Sequence, residues 1–100
     1  MAMMEISVVP VGTASPSISD YVAGVVRVIQ QSGLPYELGP MGTVVVGEPR
    51  QLLELALQVH EYPFSQGAIR VATTIKLDDR HDKPLTIQGK VRAVQGKLGG

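Results

Sequence analysis

The sequence has no cysteine and no tryptophan, and a single phenylalanine. The missing thiols exclude disulfides, thiolate metal sites and cysteine nucleophiles. With so few large aromatics, a core must be made mostly of valine, leucine and isoleucine. Net charge is missing as well, because nine basic residues balance nine acidic ones. A nucleic-acid binder carries a basic excess or stripe, so that class is set aside. Neutrality also weakens repulsion between copies and so favours self-association. No apolar run approaches the ~20 residues that span a bilayer. The first residues, MAMMEISVVPVG, lack the basic start of a secretory leader and soon meet Glu5. A cytoplasmic protein without membrane contact is expected.

What is present is a chain of 100 residues, enough for one domain that buries roughly two-thirds of its unfolded surface. Residues 36–48, YELGPMGTVVVGE, read as strand, turn and strand. Gly39-Pro40-Met41-Gly42 supplies turn chemistry, and Thr43 to Val46 is a β-branched run suited to a pleated strand. Before it, residues 3–11 alternate. Met4, Ile6 and Val8 face one way, while Met3, Glu5, Ser7 and Val9 face the other. Residues 68–79 alternate again, with Ile69, Val71, Thr73, Ile75 and Leu77 opposite Arg70, Ala72, Thr74 and Lys76.

Helical spacing fills the intervals. Near 17–32, Ser17 and Asp20 form a cap signal, and Ile18, Tyr21, Val22, Val25, Val26 and Ile29 form one apolar face. Gly33 and Pro35 end that helix. Near 49–61, Pro49 opens a second helix, whose apolar face is Leu52, Leu53, Ala56, Leu57, Val59 and His60. Tyr62-Pro63 is expected to stop or bend it. Near 85–97, Ile87, Val91, Val94 and Leu98 outline a weaker third helix, with Gly89 and Gly96 each costing about 1 kcal/mol relative to alanine. Its ragged face predicts packing against another subunit.

Strands near 3–11, 36–39, 43–47 and 68–79 with these helices give β-α-β-β-α-β plus a terminal helix. This is a ferredoxin-like α+β two-layer sandwich, with both main helices on one face of a four-stranded antiparallel sheet. The other face mixes polar and apolar residues and is too apolar to be left wet over its whole area. A second sheet would cover it.

No catalytic constellation emerges. Asp78, Asp79, His81 and Asp82 lack the spacing, glycine and distal glutamate of a calcium loop, so they read as a solvated loop with Asp–Arg pairing. His60 reads as a half-buried histidine assisting a helix end. The glycine-rich turn lacks the Lys-Ser or Lys-Thr and the following helix of a phosphate loop. Ser7, Tyr36 and Thr43 offer hydroxyls and a ring near strand ends. They could hold a small planar ligand, or Tyr36 could simply pack over the hairpin and Thr43 serve as a strand former.

Ser7-Val8-Val9-Pro10-Val11-Gly12, Ser19-Asp20-Tyr21-Val22, residues 32–43 (SGLPYELGPMGT) and Asp78-Asp79-Arg80 resemble the YkoF-like thiamine-binding protein family. The resemblance runs from about Met3 to Val94 and is most specific at Tyr36 to Thr43. It implies a ferredoxin-like fold, dimers assembled into tetramers through their sheets, and non-catalytic binding of thiamine or its hydroxymethylpyrimidine moiety. No cofactor beyond thiamine as a possible ligand, and no metal, is expected. Ser7, Tyr36 and Thr43 become the expected pocket, with Arg80 available to an anionic group. The family's Thr-x-x-Glu-Gly stands here as Thr43-Val44-Val45-Val46-Gly47. Two other classes compete: a structural or regulatory oligomer without a ligand, and, ranked last, an enzyme using Arg80 and His81 on a phosphorylated molecule.

Overall fold

The computed structural model describes residues 1–12 and 19–99. The elements run β1 (Ala2–Pro10), α1 (Ser19–Gln31), β2 (Tyr36–Leu38), β3 (Thr43–Gly47), α2 (Pro49–Ser65), β4 (Val71–Asp79) and α3 (Ile87–Lys97). The predicted Ser17 cap lies outside the described residues. The sheet is antiparallel with order β2-β3-β1-β4, the ferredoxin-like order, so the first strand made lies at its centre.

Ala2, Met4, Ile6 and Val8 of β1 pack with Val45, with Val25 and Ile29 of α1, and with Leu52, Leu55, Ala56 and Val59 of α2. These eleven side chains are the main core, built from β1's purely apolar face as the alternation predicts. The inward face of α2 differs from its predicted set. Leu55 is buried, whereas Leu53 and Leu57 are exposed. α2 also continues through Tyr62-Pro63 to Ser65. Pro63 sits in the last turn, where it forgoes its own backbone bond to the preceding turn, and its ring is fully buried. The stop comes at Gly67, with φ +97° and its N–H on the Phe64 carbonyl. Ala68 remains tied to the Pro63 carbonyl, so β4 starts at Val71 rather than at residue 68.

Each helix end follows its local chemistry. Gly33, with φ +76°, closes α1. The Gln51 side chain accepts from the Glu48 N–H at the start of α2, and Thr86 accepts from Gly89 N–H at the start of α3. Gly89 is needed there, because a Cβ would stand 2.6 Å from the Thr86 hydroxyl.

The open sheet face carries Val44 and Val46, not Thr43 and Val45. Register decides this, since Ile6 opposes Thr43 and Met3 opposes Val46. Leu85 and Ile87, leading into α3, cover Met3, Val44 and Val46 in a small second cluster. The Lys90 ammonium pairs with Asp78 and holds α3 over that end. Elsewhere the open face is uncovered, with Val9, Ala72, Thr74 and Lys76 exposed. No helix among the described residues is long and apolar enough to cross a membrane.

Candidate functional site: a cleft at the sheet edge

β1 has nine residues and β3 has five. Only Ala2 to Ile6 therefore have partners on β3, and pairing ends at Ile6 opposite Thr43. The chain bends away before that point, with Gly39 N–H donating to Gly42 C=O to close the turn. A cleft of about 240 Å³ opens where the two strands part. Its floor is Ile6 to Val9, α1 contributes Val22 and Val25, and the turn from Leu38 to Thr43 forms the far wall. Gly42 is pressed against the strand, where a Cβ would lie 3.1 Å from the Ile6 carbonyl oxygen.

Among the described residues, no charged side chain lines this cleft. Its polar groups are hydroxyls and peptide edges within an apolar wall, which suits a neutral planar ring more than an ion. Thr43 is buried, at 5% exposure. Outside the cleft mouth, Val22, Leu38 and Pro40 continue into a shallower groove bearing Arg27 and Gln30.

The predicted residues divide. Ser7 and Thr43 both line the cleft. The Thr43 side chain comes from the helix-facing side, and Ser7 stands between Ile6 and Val8 on the opposite face. Tyr36 lies farther down the hairpin. It opposes Val45, packs on the core and accepts a hydrogen bond from Gln30 Nε2 at 2.7 Å. Leu38, opposite Thr43, takes the place beside the cleft. Arg80 lies past the other end of β1, where its N–H meets the Met1 carbonyl. Its guanidinium holds Asp82 through two contacts of 2.5 and 2.9 Å. Sequence reasoning missed Val22, Val25, Leu38, Pro40 and Met41. The unequal lengths of the predicted strands 3–11 and 43–47 were the available signal, since four residues of the longer one must lack a partner on that side.

The acidic loop forms local pairs. The Arg80 guanidinium lowers the Asp82 carboxyl to about 2, and Asp82 in turn raises Arg80. The hydrogen bond from Lys90, and then its charge, lower Asp78. His81 Nε2 is 3.2 Å from Asp79. No cluster of three or more ligating side chains among the described residues could hold a metal ion. His60 is five residues (65 − 60), about a turn and a half, from the end of the longer α2, and its Nδ1 meets the Thr73 hydroxyl at 2.7 Å. It ties α2 to β4 and does not assist the helix end.

Fold and cleft together define a ferredoxin-like α+β domain with a small uncharged pocket at the sheet edge. The chain belongs to the thiamine-binding protein family, which matches residues 4–95. It is 38% identical to the UPF0045 protein YqgV of Bacillus subtilis, with 98% of each chain covered. It is 37% identical to a UPF0045 protein of Methanothermobacter thermautotrophicus, covering 98% of this chain and all of that one. Among solved structures, the hypothetical protein MJ1052 of Methanocaldococcus jannaschii superposes with a TM-score of 0.85 at 31% identity, covering 94% and 95% of the two chains. A candidate thiamine biosynthesis/salvage protein of Thermotoga maritima superposes with a TM-score of 0.78 at 25% identity, covering 93% and 97%.

Proposed function

We propose that this is a cytoplasmic, non-catalytic binding protein for thiamine or its hydroxymethylpyrimidine moiety, working as a homo-oligomer. The observation that carries the reading is the uncharged cleft between the end of β1, α1 and the Gly39–Gly42 turn, in a chain of the thiamine-binding family. At about 240 Å³ it is smaller than the roughly 300–1,000 Å³ that enclose a drug-sized ligand. One ring enters, and the rest of a larger molecule lies along the outer groove over Leu38 and Pro40. Thr43 supplies a hydroxyl within the cleft, and Ser7 marks its rim. Tyr36 supports the hairpin from behind, and Arg80 belongs to the loop at the far end of β1.

Calorimetric titration tests this. Thiamine and the isolated pyrimidine should each give saturable heat, with the fragment keeping most of the affinity. Thr43→Val, which keeps the shape and removes the hydroxyl, should weaken both about tenfold. Absence of heat from both ligands at millimolar concentration would refute the assignment. The uncovered open face and α3 support dimers joined into tetramers in the same reading. They would also suit a purely structural oligomer, which predicts assembly without any heat of binding.

A further inference from the structure

The peptide edge at the floor of the cleft has a definite polarity. In an antiparallel ladder each residue turns its N–H and its C=O to the same neighbour, and successive residues alternate. Val11 N–H donates to Arg70 C=O at 2.8 Å. The unbroken register from Ala2–Asp79 to Pro10–Val71 then assigns the odd residues of β1 to bonds with β4. The even residues turn the other way, toward β3. Val46 N–H donating to Pro35 C=O gives the same parity on β3, whose even residues face β2 and whose odd residues face β1. Ala2, Met4 and Ile6 are matched by Gly47, Val45 and Thr43. Val8 is the next even residue, and no strand residue stands opposite it there among the described residues. Its N–H and C=O open onto the cleft that its own residue lines. Its side chain is buried at 9% exposure, which fixes the strand in this orientation.

Two features narrow what can dock here. Both Val8 groups sit on one residue, in the close spacing of the narrow ladder ring, so the complement is an acceptor beside a donor on a single planar unit. Pro10, the next even residue, offers no N–H. With α1 and the turn closing the sides, an added peptide strand has one paired position and no continuation. A small planar ring satisfies these constraints.

We infer that the Val8 peptide edge reads the ligand. Its N–H donates to a ring nitrogen, and its C=O accepts from the exocyclic amino group beside that nitrogen. The inference rests on the proposed cleft function and adds the selection rule for 4-aminopyrimidines over 4-oxo rings. A 4-oxo ring in its lactam form places N–H against Val8 N–H and C=O against Val8 C=O, so both contacts become repulsive. The Thr43 hydroxyl, on the wall beside Ile6, is a further polar partner.

The test uses the ¹⁵N-labelled full chain with four ligands: thiamine, its 4-oxo analogue, 4-aminopyrimidine and pyrimidin-4-one. Thiamine and 4-aminopyrimidine should shift the Val8 amide resonance and slow its hydrogen exchange, while the Ile6 amide, already paired to Thr43, changes little. The oxo partner of each pair should bind about tenfold more weakly or worse. If thiamine binds while the Val8 amide is unaffected, or if the amino and oxo ligands bind equally, the inference is overturned and the thiamine reading stands. If thiamine does not bind but 4-aminopyrimidine protects Val8, the inference stands and the thiamine reading falls. If no ligand affects Val8, the inference falls.

Discussion

Val46 stands where the resemblance to the family leads one to expect glutamate. Here the side chain is 5% exposed and lies with Met3 and Leu85 under the approach to α3. A carboxylate among these side chains would be desolvated without an apolar wall giving it a partner. Val46→Glu should therefore lower stability by about 2 kcal/mol or more, read as a shifted urea midpoint. A variant as stable as the parent would mean that the Leu85 cover moves aside freely. Single residues were unevenly legible. The buried set of β1 followed directly from alternation. Tyr36 stands on the hairpin strand where it is expected but does not line the cleft, because hydroxyl chemistry says nothing about register. One two-residue step decides whether Tyr36 or Leu38 stands beside Thr43.

Helix α1 approaches α2 at Gly24. A Cβ at this position would stand 2.1–2.3 Å from the Tyr62 ring and hydroxyl. Tyr62 is packed against the main core, so its ring cannot move away without disturbing it. Glycine to alanine inside a helix ordinarily gains about 1 kcal/mol. Gly24→Ala should instead cost roughly 1–3 kcal/mol from overpacking. In a Tyr62→Ala background the same change should turn neutral or stabilising, and thermal melts of the four proteins in that cycle measure the coupling. Additive effects would refute the contact as the cause. Elements were legible where local signals and tertiary packing agreed, as at Gly33 and Pro49. They were misread where packing prevailed. Pro63 is a local stop signal, yet its buried ring secures the end of α2. Leu53 and Leu57 fit the period of an inward face, yet both are exposed, and Leu55 enters the core instead.

The whole molecule is extended for its length. Its radius of gyration is 14.9 Å, against about 13 Å for a compact chain of this size. α3 buries none of its own residues and exposes Val91 and Val94, with Leu98 exposed just past its end, while Val9 is exposed on the uncovered sheet face. In the proposed oligomer these surfaces cover one another. Sedimentation equilibrium of the wild type should give a multiple of 10.7 kDa, and Val91→Glu with Val94→Glu should shift the population toward the single chain. A wild type that is monomeric at micromolar concentration would contradict this arrangement. The layer order and the two-sided character of the sheet were legible because strand period and helix period report which faces are apolar. The cleft was not, because it is formed by the difference in length between two paired strands and belongs to neither.

The central place of β1 also has a kinetic side. Its partners are both made later, and Ala2 pairs with Asp79, 77 residues away (79 − 2). During synthesis β1 leaves the ribosome before either partner and waits, its apolar face unmatched, until the hairpin and then β4 arrive. Closing so long a loop carries an entropic cost before the final pairing offsets it, so the sheet is completed late and largely in one step. The same strand that offers Val8 to a ligand in the finished protein is therefore the one a nascent chain must keep from wrong partners for longest.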